Sequence, residues 1–117
     1  MAIPNFQDMM LPLLTFLKDD KNHNFLEAEN YIAKHFKLSD DERRQQKPSG
    51  DEALFHNRLH WAKFYLKKAG LVESPHRSDF KITGRGLDVV KKRPSKIDVK
   101  YLQQFQEFVE FVHRKRQ

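Results

Sequence analysis

Asn57, His60, Phe64 and Lys67 follow one another at steps of three and four within the stretch Phe55–Ala69, with Lys68 next to the last. At about 100° per residue, that spacing lines them along one side of a helix. The opposite side carries the apolar stripe Phe55, Leu59, Ala62, Leu66 and Ala69. An amide both gives and accepts hydrogen bonds, an imidazole does either, and an ammonium attracts anions. The chemistry this face offers is recognition rather than bond-making. Asn57 suits adenine, and Arg58 or a lysine such as Lys63 suits guanine or a phosphate. A second polar set follows the helix: His76 and Arg77 in a short connection, and Lys81 just after it. Those side chains suit phosphates.

Bond-making chemistry finds less support. His56 and His60 stand one helical turn apart and could share a metal ion, but no third ligand is placed to help. Asp79-Phe80-Lys81 and Asp98-Val99-Lys100 match the acid-x-Lys fragment of metal-dependent nucleases. The first falls in a hairpin and the second at a helix start, with no α/β sheet around either. Charged residues make up 32% of the chain, so chance matches of this short pattern are expected. There is no glycine-rich phosphate loop and no Ser-His or paired-carboxylate arrangement. Cysteine is absent, which excludes disulfides, thiolate catalysis and cysteine-based zinc sites. The sequence therefore predicts no catalytic residue, no cofactor and no metal.

Charge names the class of partner. The chain has 117 residues and a formal net charge of +6. Residues 1–42 carry four lysines and eight acids, for −4; residues 43–117 carry eighteen Lys plus Arg and eight acids, for +10. A basic half beside a recognition helix points to a polyanion, and double-stranded DNA is the expected one. The longest apolar run, Met9–Leu17, is interrupted by Pro12 and Thr15 and is too short to span a bilayer. The opening Met1-Ala2-Ile3-Pro4 has no basic leader region, so the expected location is the cytoplasm, away from membranes.

The elements that must position these residues follow from periodicity and punctuation. Phe6, Met9, Met10, Leu13, Leu14 and Leu17 set a first helical stripe, with Pro12 predicting a kink or an early stop. His23-Asn24-Phe25 reads as a short edge strand. Phe25, Ala28, Ile32 and Phe36 mark a second helix flanked by Tyr31 and His35. Ser39 with Glu42 forms a capping box that opens a short helix through Arg43, Arg44 and Gln46. Lys47–Gly50 is a loop. The long helix starts at Asp51 or Ala53 and runs to Ala69, where Gly70 supplies a left-handed stop. Leu71–Ser74 and Phe80–Thr83 are strands joined by Pro75–Asp79. Thr83 caps a helix through Leu87 and Val90 that ends at Lys91–Arg93, before Pro94. One last helix starts near Ser95 or Asp98 and carries Tyr101, Leu102, Phe105, Phe108, Val109 and Val112, with Phe111 beside them, up to His113–Arg116. The predicted class is mainly α with a small β-hairpin: a winged helix-turn-helix over residues 1–93 and a carboxy-terminal helix over 94–117 for linking, packing or dimerisation.

Asn57-Arg58, Trp61-Ala62, Tyr65–Leu71, Ile82-Thr83 and Gly86 together resemble the amino-terminal domain of Mrr-type restriction endonucleases. The opening Ile3-Pro4 with Met10–Leu14 is similar to that family's start, and Ile97–Leu102 and Phe105–Phe108 resemble the segment that joins the domain to the catalytic one. The resemblance implies a winged-helix module that delivers a nuclease to DNA, methylated DNA in the best-known members. It also implies a nuclease domain in the parent protein, beyond the last helix, that this chain lacks. Two departures stand out. Phe64 replaces a small residue on the recognition helix. Ser78 replaces the usual wing glycine, so a turn needing positive φ is expected to be strained or reshaped.

The reading carries bland alternatives. Trp61 and Tyr65 are expected to pack under the first and last helices. Phe64 faces out, either toward a base methyl group or under the carboxy-terminal helix, with cover favoured. The last helix, greasier than one surface helix needs, either folds back or pairs two copies through residues 97–113. A dimeric transcriptional regulator and a protein-interaction winged helix are the alternative functions.

Overall fold

The computed structural model describes residues 3–115, with Lys115 known by its backbone alone. Seven helices and three strands occur among them: α1 Phe6–Phe16, β1 His23–Asn24, α2 Phe25–His35, α3 Asp40–Arg44, α4 Leu54–Lys68, β2 Val72–Glu73, β3 Asp79–Ile82, α5 Gly84–Lys91, α6 Val99–Leu102 and α7 Gln106–Lys115. The strands form one antiparallel sheet in the order β1-β3-β2. His23 pairs with Phe80, and Val72 with Ile82. The long helix leads directly into the β2–β3 hairpin, and α5 closes the unit. This is a winged-helix-like arrangement with a carboxy-terminal helix added.

One core holds it together. Met9, Met10, Leu13, Leu14 and Leu17 of the first helix and its following turn meet Ile32 of α2 and Phe55, Leu59 and Leu66 of α4, all without solvent exposure. Pro12 does not break α1, against expectation. The carbonyl it leaves without an N–H partner is that of Asp8, an exposed residue, so water can serve it. A second capping box, Asn24 with Glu27, turns the edge strand straight into α2. The Ser39–Glu42 box opens α3 as expected. That helix stops at Arg44, however, and Gln46 forms a β-bridge to Ala53 instead of continuing it.

Gly70 stands at φ 77 after α4, the left-handed stop that the sequence predicts. Gly86 is needed for closeness rather than for φ. A Cβ there would collide with the Leu71 carbonyl oxygen and the Ile82 side chain, so the start of α5 packs against the chain entering β2 and against β3 only because the side chain is missing.

The predicted single last helix is two. Asp98 caps α6 by accepting from the Tyr101 N–H at 2.8 Å. The backbone bonds Phe105 N to Leu102 O at 3.0 Å and Phe108 N to Phe105 O at 3.1 Å then tighten the chain and redirect it. The bend lets both Leu102 and Phe108 reach the core. Arg116, expected at the helix end, lies outside the described residues.

Candidate functional site

The side of α4 opposite the core stripe is where the predicted contacts lie. His60, Trp61 and Lys67 are exposed; Asn57, Lys63, Phe64 and Lys68 are half-buried. Each is held by a different neighbour, and the neighbours decide what remains available.

Asn57 sits in the first turn of α4. Its amide nitrogen donates to Glu52 Oε1 at 2.7 Å, and Lys47 Nζ lies 3.5 Å from the same oxygen. The loop that presents Glu52 is closed by Lys47 N donating to Glu52 O at 3.0 Å and Leu54 N donating to Gln45 O at 2.8 Å. Ala53 offers α4 no side-chain cap, so this loop fixes where the helix begins.

His60 lies flat on Phe25 of α2, ring centres 3.8 Å apart and planes 7° from parallel. Its Nε2 is 3.1 Å from His56 Nε2, and His56 Nδ1 is 3.2 Å from Glu29 Oε1. A carboxylate only accepts, so His56 Nδ1 donates to Glu29, and one proton is shared between the two Nε2 atoms. Burial pushes the His60 pKa down, and His56 and Lys63 push it further. Lys63 lies over the rings of Phe80, 4.8 Å away, and Phe25, 5.7 Å away. Burial, then Lys67, lowers its pKa as well.

Phe64 meets Phe111 of α7 at 5.5 Å, so the carboxy-terminal helix covers one side of it. Lys68 bridges the same two rings, 5.3 and 5.2 Å from their centres. Tyr65 packs between Phe6 and Phe108, as expected. Trp61 does not pack under the helices. It is 41% exposed, its ring edge-on to Phe64 and Tyr65. The core-facing arc of α4 is narrower than the sequence suggests, because Ala62 lets α1 come close and leaves the neighbouring indole outside. Glu52, Asn57, His60, Trp61 and Phe64 line an open hollow of about 340 Å³.

Arg58 is the clearest departure from the expected contact face. Its Nη1 donates to the carbonyls of Ile3 at 2.7 Å and Pro4 at 3.2 Å, which pins the amino-terminal segment across α4. The guanidinium is a structural tie there.

On the hairpin, Pro75, His76, Arg77 and Ser78 are all exposed, and Asp79 N donates to His76 O at 3.2 Å to close the turn. Ser78 is not among the residues with positive φ, so the turn is reshaped rather than strained. Arg77 has no carboxylate partner among the described residues. Lys81, half-buried, lies 3.5 Å from Asp20 Oδ1.

Neither acid-x-Lys pair builds a catalytic centre. Lys81 faces Asp20, and Asp98 is spent as a helix cap. Among the described residues no three His, Asp or Glu side chains gather as a metal site, and no helix is long and apolar enough to cross a membrane. Sequence reasoning missed Glu52, Lys47 and Glu29. Glu52 lies outside the helical period, and Glu29 belongs to another helix, so spacing carries no signal for either.

A family model described as the Mrr N-terminal domain matches residues 6–92. No curated protein and no solved structure matches the chain.

Proposed function

The chain belongs to the Mrr N-terminal domain family, a restriction-system family, and from that premise we propose that it is a non-catalytic module that binds duplex DNA. The observation that carries this reading is the open α4 face beside an exposed hairpin tip. His60, Trp61 and Lys67 face solvent, and among the described residues no carboxylate neutralises the exposed Arg77. A helix of α4's diameter fits the major groove, and an adjacent hairpin can lie along the phosphates. Residues 1–93 form the binding head in this reading, and 94–117 brace it. DNA is the chemical partner, and a nuclease, on the same polypeptide or a separate one, is the functional one.

Phosphate contacts divide by their freedom. Lys67, His76 and Arg77 are open to solvent, whereas Lys68 lies on two rings and Lys81 beside Asp20. Each neutralised phosphate steepens the fall of log K with log salt by about 0.9. Titration of a labelled duplex at several salt concentrations is the test. Arg77→Ala is expected to flatten the slope by close to one phosphate, and Lys81→Ala by less, because Asp20 already holds that ammonium. Equal slopes for wild type and Arg77→Ala remove the hairpin from the interface. If the wild-type chain fails to bind any duplex at low salt, the protein-interaction reading takes over.

A further inference from the structure

The polar end of the α4 hollow has a construction that phosphate binding does not need. Glu52 is a carboxylate at the edge of a surface expected to face a polyanion, where an unneutralised acid would repel the partner. Lys47, shared with Asp51 Oδ1 at the same 3.5 Å, offsets part of its charge, and Glu52 Oε1 holds the Asn57 amide at 2.7 Å. Because the carboxylate only accepts, it fixes which way the amide faces: nitrogen toward Glu52. An amide nitrogen has two N–H groups. One goes to Glu52, which leaves the other, together with Oδ1, for an outside partner. Among the described residues no other side-chain hydrogen bond engages Asn57.

A free N–H beside a free carbonyl oxygen is the pattern that matches adenine in the major groove, where N7 accepts and the N6 amino group donates. Asn57 is also in the right place along the helix, since the amino-terminal turn of a recognition helix is the part that reaches base edges. The rings of His60, Trp61 and Phe64 wall the same hollow. We infer that Asn57 reads an adenine, and that Glu52, with Lys47 behind it, is the positioning residue that fixes the amide for that reading. The inference rests on the duplex-binding proposal and adds a base preference to it.

The test is selection from a pool of duplexes with a randomised central segment, followed by resynthesis of a selected duplex with 7-deazaadenine, which lacks the N7 acceptor. Wild type is expected to enrich adenine at a fixed position, and the deaza substitution there to weaken binding roughly tenfold. Glu52→Gln keeps an acceptor for the Asn57 amide and is expected to keep the preference. Glu52→Ala and Asn57→Ala are expected to bind unselected duplex at low salt yet lose it. Thermal melts establish that each variant is folded; should Glu52→Ala unfold, the Asn57→Ala and Glu52→Gln pair decides. Adenine enrichment that survives in Asn57→Ala overturns the inference. So does duplex binding by wild type with no base preference, and that outcome leaves the duplex-binding proposal standing. Absence of any duplex binding overturns both.

Discussion

At the scale of single residues, the available chemistry is set by what each polar group already holds. Arg58 and Lys67 are both cations on one helix, yet one is bonded to two backbone carbonyls and the other is open to solvent. His23 shows the same principle away from the candidate site. Its Nε2 lies 2.8 Å from Asp19 and its Nδ1 3.1 Å from Glu27, and its side chain is only 13% exposed. Burial disfavours the imidazolium, but the bonds to Glu27 and Asp19 outweigh it and raise the pKa. A raised folded-state value means that the folded form binds the proton more tightly than the unfolded chain does. The stabilisation is therefore complete below the ordinary histidine value of about 6.5 and is lost as pH rises through the folded value. His23→Gln is expected to lower the melting temperature more at pH 5.5 than at pH 8. Equal losses at both pH values would leave only its ring contact with Phe16, 4.5 Å away, as the role of His23.

At the scale of elements, the carboxy-terminal pair decides how much of α4 is exposed. The bend between α6 and α7 places Phe108 fully inside, against Tyr65, while Val109 on the next position is 43% exposed. Truncation of a buried phenylalanine costs about 3–5 kcal/mol, and surface substitutions usually stay within about 0.5 kcal/mol. Denaturant melts should show Phe108→Ala strongly destabilised and Val109→Ser close to wild type. Comparable losses would mean that the face of α7 assigned to the core is wrong. The broken helix was not legible in the apolar pattern, since Leu102, Phe105, Phe108 and Val112 suit one continuous helix as well. The break comes from the need to place both Leu102 and Phe108 in a core whose surface curves.

At the scale of the whole molecule, the acidic first part and the basic remainder interlock. Glu29 meets His56, and Asp20 meets Lys81. Exposed cations lie at Arg77 of the hairpin tip and Lys67 of α4, and again at Lys91, Lys92, Arg93 and Lys100 beside the carboxy-terminal pair of helices. The surface left for self-association is small. Ile97, Leu102 and Phe108 are buried in their own fold, which leaves the exposed Val109 and the half-buried Val99, Tyr101, Phe105, Phe111 and Val112. A stable dimer interface covers about 800 Å² on each partner, and in this segment Val109, at 43%, is the large apolar side chain most open to solvent. Sedimentation at micromolar concentration is expected to show a monomer of 14.0 kDa. A dimer would revive the regulator reading, with pairing through residues 97–113.

Sequence alone determined the element order as far as α5, the buried stripe of α4 and the Gly70 stop, because periodicity, capping and positive φ are local properties of the chain. It also placed Asn57, His60 and Lys67 on one face. Only the tertiary structure decided which of these groups remain open: Arg58 went to the amino-terminal carbonyls, Lys81 to Asp20, and Asn57 to Glu52 with part of its amide left over. Those partners lie on other elements or outside the helical period. Helical spacing orders residues around one axis and says nothing about what another segment brings against them.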